Sequence, residues 1–404
     1  MSQRTICLYM HVHQPWRVKH YSVFDIGASH MYFNDESPEK DTNNQFVLKI
    51  VAEKSYLPTN QVLLDLLTRH EGFRLSLSFS GSVIEQMKAW APEALESFKA
   101  LVDTGKVEIL AETSEHSLAW FFSKEEFTAQ VELHSRLIED TFGVKPTSFR
   151  NTELAYNNEL ARWADSQGYK AIITEGWEPV LDWRSPNFVY KPVETQNISL
   201  LMKNYKLSDD VAFRFSDKDW GEWPLTAEKY RSWLRAIPKD QPLLNLFMDY
   251  ETFGEHQWAD TGIFDFLREF VGQVCEGNER RFLTITEAAE QHEPAGEISI
   301  EYTITWADMD RDLSAWLGNA LQTEANRFLY SLEREVKQFG DEDLLSDWRK
   351  LTASDHLYYM CIKWFNDGDV HAYFSPYDSP YEAYMNFMNA VHDLKYRLAQ
   401  KGSP

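Results

Sequence analysis

The stretch Leu243 to Trp258, LLNLFMDYETFGEHQW, decides how the rest of the chain is interpreted. Five of its first six residues are apolar, which is typical of a β-strand buried on both faces. The apolar run stops at Asp249, and Glu251 follows two positions later. In a barrel of parallel strands, the side chains at the C-terminal strand ends project into the active site. The stretch therefore predicts a barrel strand that delivers an acid to a functional site.

The same pattern of a short apolar run ending in polar residues recurs along the first two-thirds of the chain. The predicted strands are Thr5 to Val12, Phe73 to Ser80, Val107 to Ala111, Thr147 to Arg150, Ala171 to Thr174, Phe188 to Tyr190, Ile198 to Met202 and Leu243 to Asp249. Helical patterns separate most of them. This alternation predicts an α/β fold whose parallel sheet closes into a barrel or near-barrel of about seven strands.

The chain changes character after about residue 295, where helical patterns replace the alternation. They cover Asp312 to Gln338, Glu342 to Trp364 and Ser379 to Ala399. We therefore expect two domains, a catalytic barrel over residues 1–295 and a helical bundle over residues 296–404. The long polar segment Arg17 to Gln45 carries aromatic residues and predicts a mobile wall beside the site.

Composition narrows the classes of function. The formal net charge of −23 argues against a nucleic-acid groove and against binding to anionic membranes. No apolar run is long enough for a transmembrane helix, the N-terminus does not resemble a signal peptide, and the three cysteines lie far apart, so a cytoplasmic protein is expected. The 14 Trp and 19 Tyr residues suit a groove that stacks on sugar rings. The oligomeric state is left open.

Two carboxylates at different strand ends, Glu153 and Asp249, indicate a candidate chemistry. Glycoside hydrolysis needs one carboxyl group that protonates the leaving oxygen and a second that attacks the anomeric carbon or activates water. With 63 acidic residues in the chain, the pair is unspecific by itself.

His11 and His13 alternate along the first strand and therefore point to the same side. Such a pair can ligate zinc, hydrogen-bond sugar hydroxyls or hold a carboxylate, and it can equally be a satisfied part of the core. No metal site and no cofactor is predicted. Asp367-Gly-Asp369 resembles part of a calcium loop, but the other ligands of such a loop are absent, and a plain turn is expected.

Several longer motifs together carry a resemblance to a known family. They are HVHQP (His11 to Pro15), GKVEIL followed by His116, FRNTELAYN (Phe149 to Asn157), MDYETFGEH (Met248 to His256), WADMDRDLSAWLGN (Trp306 to Asn319), SDHLYYM (Ser354 to Met360) and the following DGDVHAYFSPYDSPYEAY. With these motifs the sequence resembles glycoside hydrolase family 57, and within it the α-amylase-like branch, over nearly its whole length.

The resemblance implies a (β/α)7 barrel followed by a helical domain that closes the cleft. It implies a retaining mechanism on α-glucans, in which Glu153 forms a covalent glycosyl-enzyme and Asp249 acts as general acid and then base. His11 and His13 would contact the first sugar and the nucleophile. The expected partner is an α-glucan or maltooligosaccharide.

Nine residues are candidates for substrate binding on these grounds, namely His11, His13, His116, Trp177, Glu251, Trp258, Trp306, Asp355 and His356. At least one of Trp306, Trp316, Asp355 and His356 is expected to line the same cleft as Asp249, although their segments lie far from the barrel strands in sequence. Trp316 has a helical spacing with Leu313 and Leu317 that is more typical of ordinary packing.

Three alternatives stay open at the level of sequence. A 4-α-glucanotransferase uses the same covalent intermediate and differs only in the acceptor. A metal-dependent carbohydrate enzyme would use His11, His13 and an acid as ligands. A catalytically weak glucan-binding protein would bind oligosaccharides without turnover.

Overall fold

The computed structural model describes residues 4–33, 40–363 and 374–402. Its strands are β1 (Arg4–Val12), β2 (Leu75–Phe79), β3 (Val107–Ile109), β4 (Ser148–Arg150), β5 (Ala171–Glu175), β6 (Val189–Pro192), β7 (Ser199–Lys203), β8 (Leu243–Asp249), β9 (Arg280–Phe282) and β10 (Glu297–Ile298).

The α-helices begin before β2 and continue to the C-terminus. They are α1 (Asn44–Val51), α2 (Leu57–Arg69), α3 (Gly81–Trp90), α4 (Pro92–Val102), α5 (Lys124–Phe142), α6 (Asn158–Ser166), α7 (Glu178–Leu181), α8 (Tyr205–Ala212), α9 (Ala227–Ala236), α10 (Ile263–Glu276), α11 (Ile285–Gln291), α12 (Ser314–Leu317), α13 (Ala320–Ser331), α14 (Glu333–Phe339), α15 (Glu342–Lys350), α16 (Ser354–Tyr359) and α17 (Pro380–Gly402). None of the helices in the described ranges is long and apolar enough to cross a bilayer.

Seven parallel strands follow one another around a barrel in the order β1, β2, β3, β4, β5, β7, β8. Two pairs of neighbouring strands, β3 with β4 and β7 with β8, are joined by fewer backbone hydrogen bonds than the other pairs. Ala111 bridges Phe149 between β3 and β4, and between β7 and β8 the N–H of Asn204 donates to the carbonyl of Asn245 at 2.9 Å. The predicted α/β barrel is confirmed, and β6 lies antiparallel to β7 outside the ring.

Burial explains why these strands are apolar and where they stop. Residues 5–12 of β1 are all buried, as are residues 243–248 of β8. A parallel strand covered on both faces has no place for alternating polar residues. Asp249 ends β8 beside His11 in the register of β1, so the first polar side chains of neighbouring strands meet at one edge.

Several predicted helices are shorter than expected. The pattern over Asp312 to Gln338 forms three helices, because Asn319 caps a new helix by accepting from the N–H of Gln322. The pattern from Glu342 forms α15 and α16, and its predicted end at Trp364 lies outside the described residues, as does the turn Asp367-Gly-Asp369. Helices α8 and α9 and strand β9 were not predicted.

Helices α12 to α17 pack around a second apolar core that includes the fully buried Trp316 and Trp348. The residues between barrel and bundle, among them Ile298 and Ile304, pack instead with a core cluster beside the barrel that contains Phe149. The domain division at residue 295 stays a prediction.

The described part of the segment Arg17 to Gln45 is anchored at several buried residues, and its mobility stays a prediction. Val18, Tyr21 and Tyr32 are buried in the core of the helical bundle. The N–H of Tyr21 donates to the side chain of Asn386 in α17 at 2.9 Å. Tyr21 and Tyr32, two of the aromatic residues that suggested the wall, therefore pack the chain against the bundle, whereas Phe24 is exposed.

Asp393, which is fully buried in α17, holds this segment in place. Its carboxylate accepts hydrogen bonds from the N–H of Gly27 at 2.7 Å, from Nδ1 of His30 at 2.8 Å and from the hydroxyl of Tyr32 at 2.5 Å.

Replacing Asp393 with Ala removes the acceptor of all three donors and leaves the buried hydroxyl of Tyr32 without it. We expect the free energy of unfolding to fall by roughly 2–4 kcal/mol, measured by chemical denaturation. Asp140→Ala, at an exposed position of α5, is the matched control and should leave the midpoint unchanged. Equal midpoints for the two variants would show that Asp393 does not anchor the segment.

Candidate active site

Glu153 lies three residues beyond the end of β4, in a short 3-10 turn. Its φ of 59° places it in the left-handed region, and His116, after β3, has a φ of 54°. Such angles are uncommon for residues other than glycine and persist only where surrounding contacts impose them. Both residues face the same cluster of polar side chains.

The carboxylate of Glu153 has three donors. Oε1 accepts from the hydroxyl of Ser354 at 2.7 Å and faces Nε2 of His116 at 3.2 Å. Oε2 accepts from the indole N–H of Trp306 at 2.8 Å. Ser354 and Trp306 come from the chain beyond residue 295, so the helical part completes the surroundings of a strand-end acid.

These contacts determine which form of Glu153 is stable. Burial alone would raise its pKa, but the hydrogen bond and charge of His116, together with the bond from Ser354, outweigh burial and lower the pKa to about 2. Burial likewise disfavours the charged form of His116, but hydrogen bonds to Glu112 and Glu153 raise its pKa to about 9. At neutral pH the two form an ion pair.

The pKa of Asp249 is shifted in the opposite direction to that of Glu153. Its carboxylate lies 3.9 Å from Nδ1 of His11, and its side chain keeps 27% of its surface exposed. Burial is the largest influence and raises its pKa to about 7; the charge of Arg150 opposes the rise and that of Glu153 adds to it.

Arg150 connects the two acids, and the sequence analysis did not single it out. Its guanidinium is buried and Nη1 lies 2.9 Å from Oε2 of Glu112, 3.1 Å from Nε2 of His11 and 3.3 Å from Nδ1 of His116. A contact chain thus runs from Asp249 through His11, Arg150 and His116 to Glu153. One feature of the sequence could have identified Arg150. It is an arginine at the end of a buried strand, and a buried charge needs partners.

His13 binds protein groups through both ring nitrogens. Nε2 donates to Asp355 of α16 at 3.0 Å, and Nδ1 lies 2.7 Å from the hydroxyl of Ser80. The ring stacks on His116 at 4.0 Å. A sugar hydroxyl would have to displace Asp355 or Ser80 to bond a nitrogen of this imidazole, and the substrate-binding role of His13 stays a prediction.

Glu251 is also part of the cluster. It is buried and accepts from the hydroxyl of Tyr56 at 2.6 Å and from the N–H of His13 at 3.3 Å. Burial, followed by the charge of Asp249, raises its pKa to about 8.

Three candidate residues make no hydrogen bond or ion pair with the polar cluster around the two acids, within the described part of the chain. Trp177 packs against the apolar cluster beside the barrel. Trp258 is 60% exposed, with Nζ of Lys54 5.7 Å from its ring centre. His356 is buried, with Nε2 3.1 Å from the carbonyl of Lys350. Of the four residues expected from the helical part, Trp306 and Asp355 reach the cluster, whereas His356 and Trp316 pack in the bundle.

Two groups of side chains bring potential metal ligands within 4.8 Å of one another, namely His11, Glu112, His116 and His13, His116, Asp355. In the first group, the guanidinium of Arg150 already contacts all three residues and supplies the positive charge. In the second, His13 is bonded directly to Asp355 and His116 to Glu153. Because the potential ligands of both groups already bond to protein groups, their arrangement favours a network of hydrogen bonds and ion pairs over a metal site.

Comparison with known proteins places the chain in a family. The sequence profile of Glycosyl hydrolase family 57 matches residues 7–301. A protein of Methanocaldococcus jannaschii named "Putative alpha-amylase" is 40% identical over 368 residues, which cover 88% of this chain and 78% of that protein.

Two solved structures share the fold at low sequence identity. A GH57-type branching enzyme from Pyrococcus horikoshii aligns with a TM-score of 0.69 and 14% identity, over 92% of this chain and 87% of that one. The 4-alpha-glucanotransferase from Thermococcus litoralis aligns with a TM-score of 0.65 and 15% identity, over 88% of this chain. The present chain spans 56% of that longer enzyme. By the extent of the sequence match, the protein belongs to glycosyl hydrolase family 57 and is a glycoside hydrolase.

Proposed function

We propose that the protein is a retaining glycoside hydrolase that acts on α-glucans, with Glu153 as the nucleophile and Asp249 as the general acid/base. The observation that carries the proposal is the contrast between the surroundings of the two carboxyls: three donors face Glu153, whereas burial dominates at Asp249. The pKa is accordingly lowered to about 2 for Glu153 and raised to about 7 for Asp249. One carboxyl is thereby charged and the other protonated near neutral pH, as a double displacement requires. The substrate class is proposed from the amylase, branching-enzyme and glucanotransferase names of the relatives.

In the first step, a carboxylate oxygen of Glu153 bonds to the anomeric carbon while the glycosidic C–O bond breaks. Asp249 gives its proton to the departing oxygen. Oε2 is the favoured attacking atom, because it carries one donor, the Trp306 indole, whereas Oε1 faces both Ser354 and His116. The donors on Oε1 keep the non-attacking oxygen oriented.

In the second step, the ionised Asp249 takes a proton from water, which attacks the anomeric carbon and releases Glu153. The charge of His116 stabilises the departing carboxylate. A sugar hydroxyl in place of water would give transfer through the same residues, which is the 4-α-glucanotransferase alternative. Trp306, Ser354 and Asp355 support the proposal that a helical domain over residues 296–404 closes the cleft of a barrel domain over residues 1–295.

The two carboxyls should respond differently to removal. Glu153→Gln should abolish turnover on every substrate, because no choice of leaving group replaces the nucleophile. Asp249→Asn should still form the glycosyl-enzyme from an activated aryl α-glucoside, whose leaving group needs little protonation. The covalent intermediate should then accumulate, and mass spectrometry of the intact protein measures it.

Azide distinguishes the two roles by stereochemistry, read from the anomeric NMR signals of the product. With Asp249→Asn it should attack the glycosyl-enzyme and yield the α-glycosyl azide. With Glu153→Gly it should enter from the vacated face and yield the β-glycosyl azide. Identical products from both variants, or an inverted product from the unmodified enzyme, would overturn the role assignment.

The pH dependence of kcat/KM should report Asp249 on its basic side. The first step needs the protonated acid, so kcat/KM should be level below the pKa and fall as the pH rises through about 7. On an aryl glucoside, the rate of glycosylation by Asp249→Asn should lose this basic limb, because the variant has no proton to lose. A limb that persists in Asp249→Asn would assign the titration to another group.

A further inference from the structure

Trp306 contacts Glu153 twice, although it belongs to no barrel strand. Its indole N–H donates to Oε2 at 2.8 Å, and its backbone N–H donates to the carbonyl of Glu153 at 3.3 Å. The residue lies in the irregular segment between β10 and α12. Something other than regular secondary structure must therefore fix the indole against the carboxylate.

The segment closes on itself through Thr305. The N–H of Thr305 donates to the carbonyl of Arg311 at 2.8 Å, and its hydroxyl donates to the carbonyl of Asp312 at 2.7 Å. The guanidinium of Arg311 donates to the carbonyl of Trp306. Arg311 itself has a φ of 50°, in the left-handed region, which indicates a conformation imposed by its contacts.

The barrel supplies three charged groups that receive this segment, which are Glu175 at the end of β5, Lys203 at the end of β7 and Asp209 in α8. Arg311 lies 3.4 Å from Glu175 and 3.7 Å from Asp209. Lys203 lies 3.0 Å from Asp209 and 3.7 Å from Glu175. The cluster balances two positive against two negative side chains.

Lys203 also touches the tryptophan. Its ammonium group is 5.3 Å from the centre of the Trp306 ring, within the range of a cation–π contact. Its side chain is 2% exposed, so the contact is shielded from water. Arg311 thus holds the backbone of Trp306, and Lys203 holds its ring.

We propose that Lys203 and Arg311 are positioning residues that act through Trp306, holding its indole N–H on the attacking oxygen of Glu153. The inference rests on the proposed role of Glu153. Buried ion pairs contribute little net stability, because desolvation offsets their attraction, and fixing one geometry is a better explanation for such a cluster. The cluster joins the barrel to the segment that contains Trp306, so it fixes the position of that segment beside the nucleophile.

A double-mutant cycle tests the coupling. Arg311→Met should lower kcat on all substrates by up to about 100-fold, since a small misplacement of a catalytic contact has an effect of that size, while KM changes little. Trp306→Phe should lower kcat to a similar extent. In the double variant the effect of Arg311→Met should vanish, because its target is already gone. Lys203→Met should show the same dependence on Trp306.

The conservative variant Arg311→Lys keeps the charge and should restore part of kcat. If thermal unfolding shows that Arg311→Met does not fold, Arg311→Lys takes its place in the double-mutant cycle. Arg162→Met is the matched control, because Arg162 pairs with Glu194 at the surface and should leave kcat unchanged.

Fully additive losses in the cycle, or wild-type kcat in Arg311→Met, would overturn the proposal. Glu153→Gln separates this failure from failure of the proposed function. If it is inactive while the cycle is additive, only the positioning role is wrong; if it stays active, the role of Glu153 is wrong.

Discussion

The buried guanidinium of Arg150 is the constraint on which the active-site arrangement depends. A charge so deep in the barrel is stable only with partners, and the carboxylate of Glu112 supplies the opposite charge while Nε2 of His11 lies within hydrogen-bond distance. His116, itself positive, lies beside the guanidinium and shares Glu112 with it. Those contacts fix the imidazole rings at the ends of β1 and β3. Each imidazole then presents its other nitrogen to one of the two acids, His11 to Asp249 and His116 to Glu153. The relative placement of the two acids therefore follows from one side chain at the end of β4.

The helical part contributes to the same site through bonds that the barrel cannot supply. Ser354 and Trp306 bond the carboxylate of Glu153, and Asp355 orients His13. Burial disfavours the charged form of Asp355, but the charge and hydrogen bond of His13 lower its pKa below the usual range. The helical part thus supplies two of the three donors of Glu153. Burial and the charge of Asp355 both raise the pKa of Glu153, so its low pKa comes mainly from His116 of the barrel.

The sequence predicted the barrel strands well because a strand buried on both faces must be apolar, as Leu243 to Met248 illustrates. It also named Glu153 and Asp249 as acids at strand ends, and the structure brings both to one polar cluster, while their catalytic roles stay a proposal. Arg150 and Ser354 were missed because their partners lie far away in sequence and only the closed barrel brings them together. Aromatic residues were the weakest guide: Trp306 reaches the site, whereas Trp177 packs beside the barrel, and local sequence does not distinguish the two.

The charge of Glu153 explains how Asp249 can serve in both steps of the proposed mechanism. Burial raises the pKa of Asp249 most, the positive charge of Arg150 opposes the rise, and the negative charge of Glu153 adds to it. When Glu153 becomes an ester in the glycosyl-enzyme, one negative charge disappears and the pKa of Asp249 falls. The acid of the first step thus becomes a carboxylate able to accept a proton from water in the second, without movement of any residue.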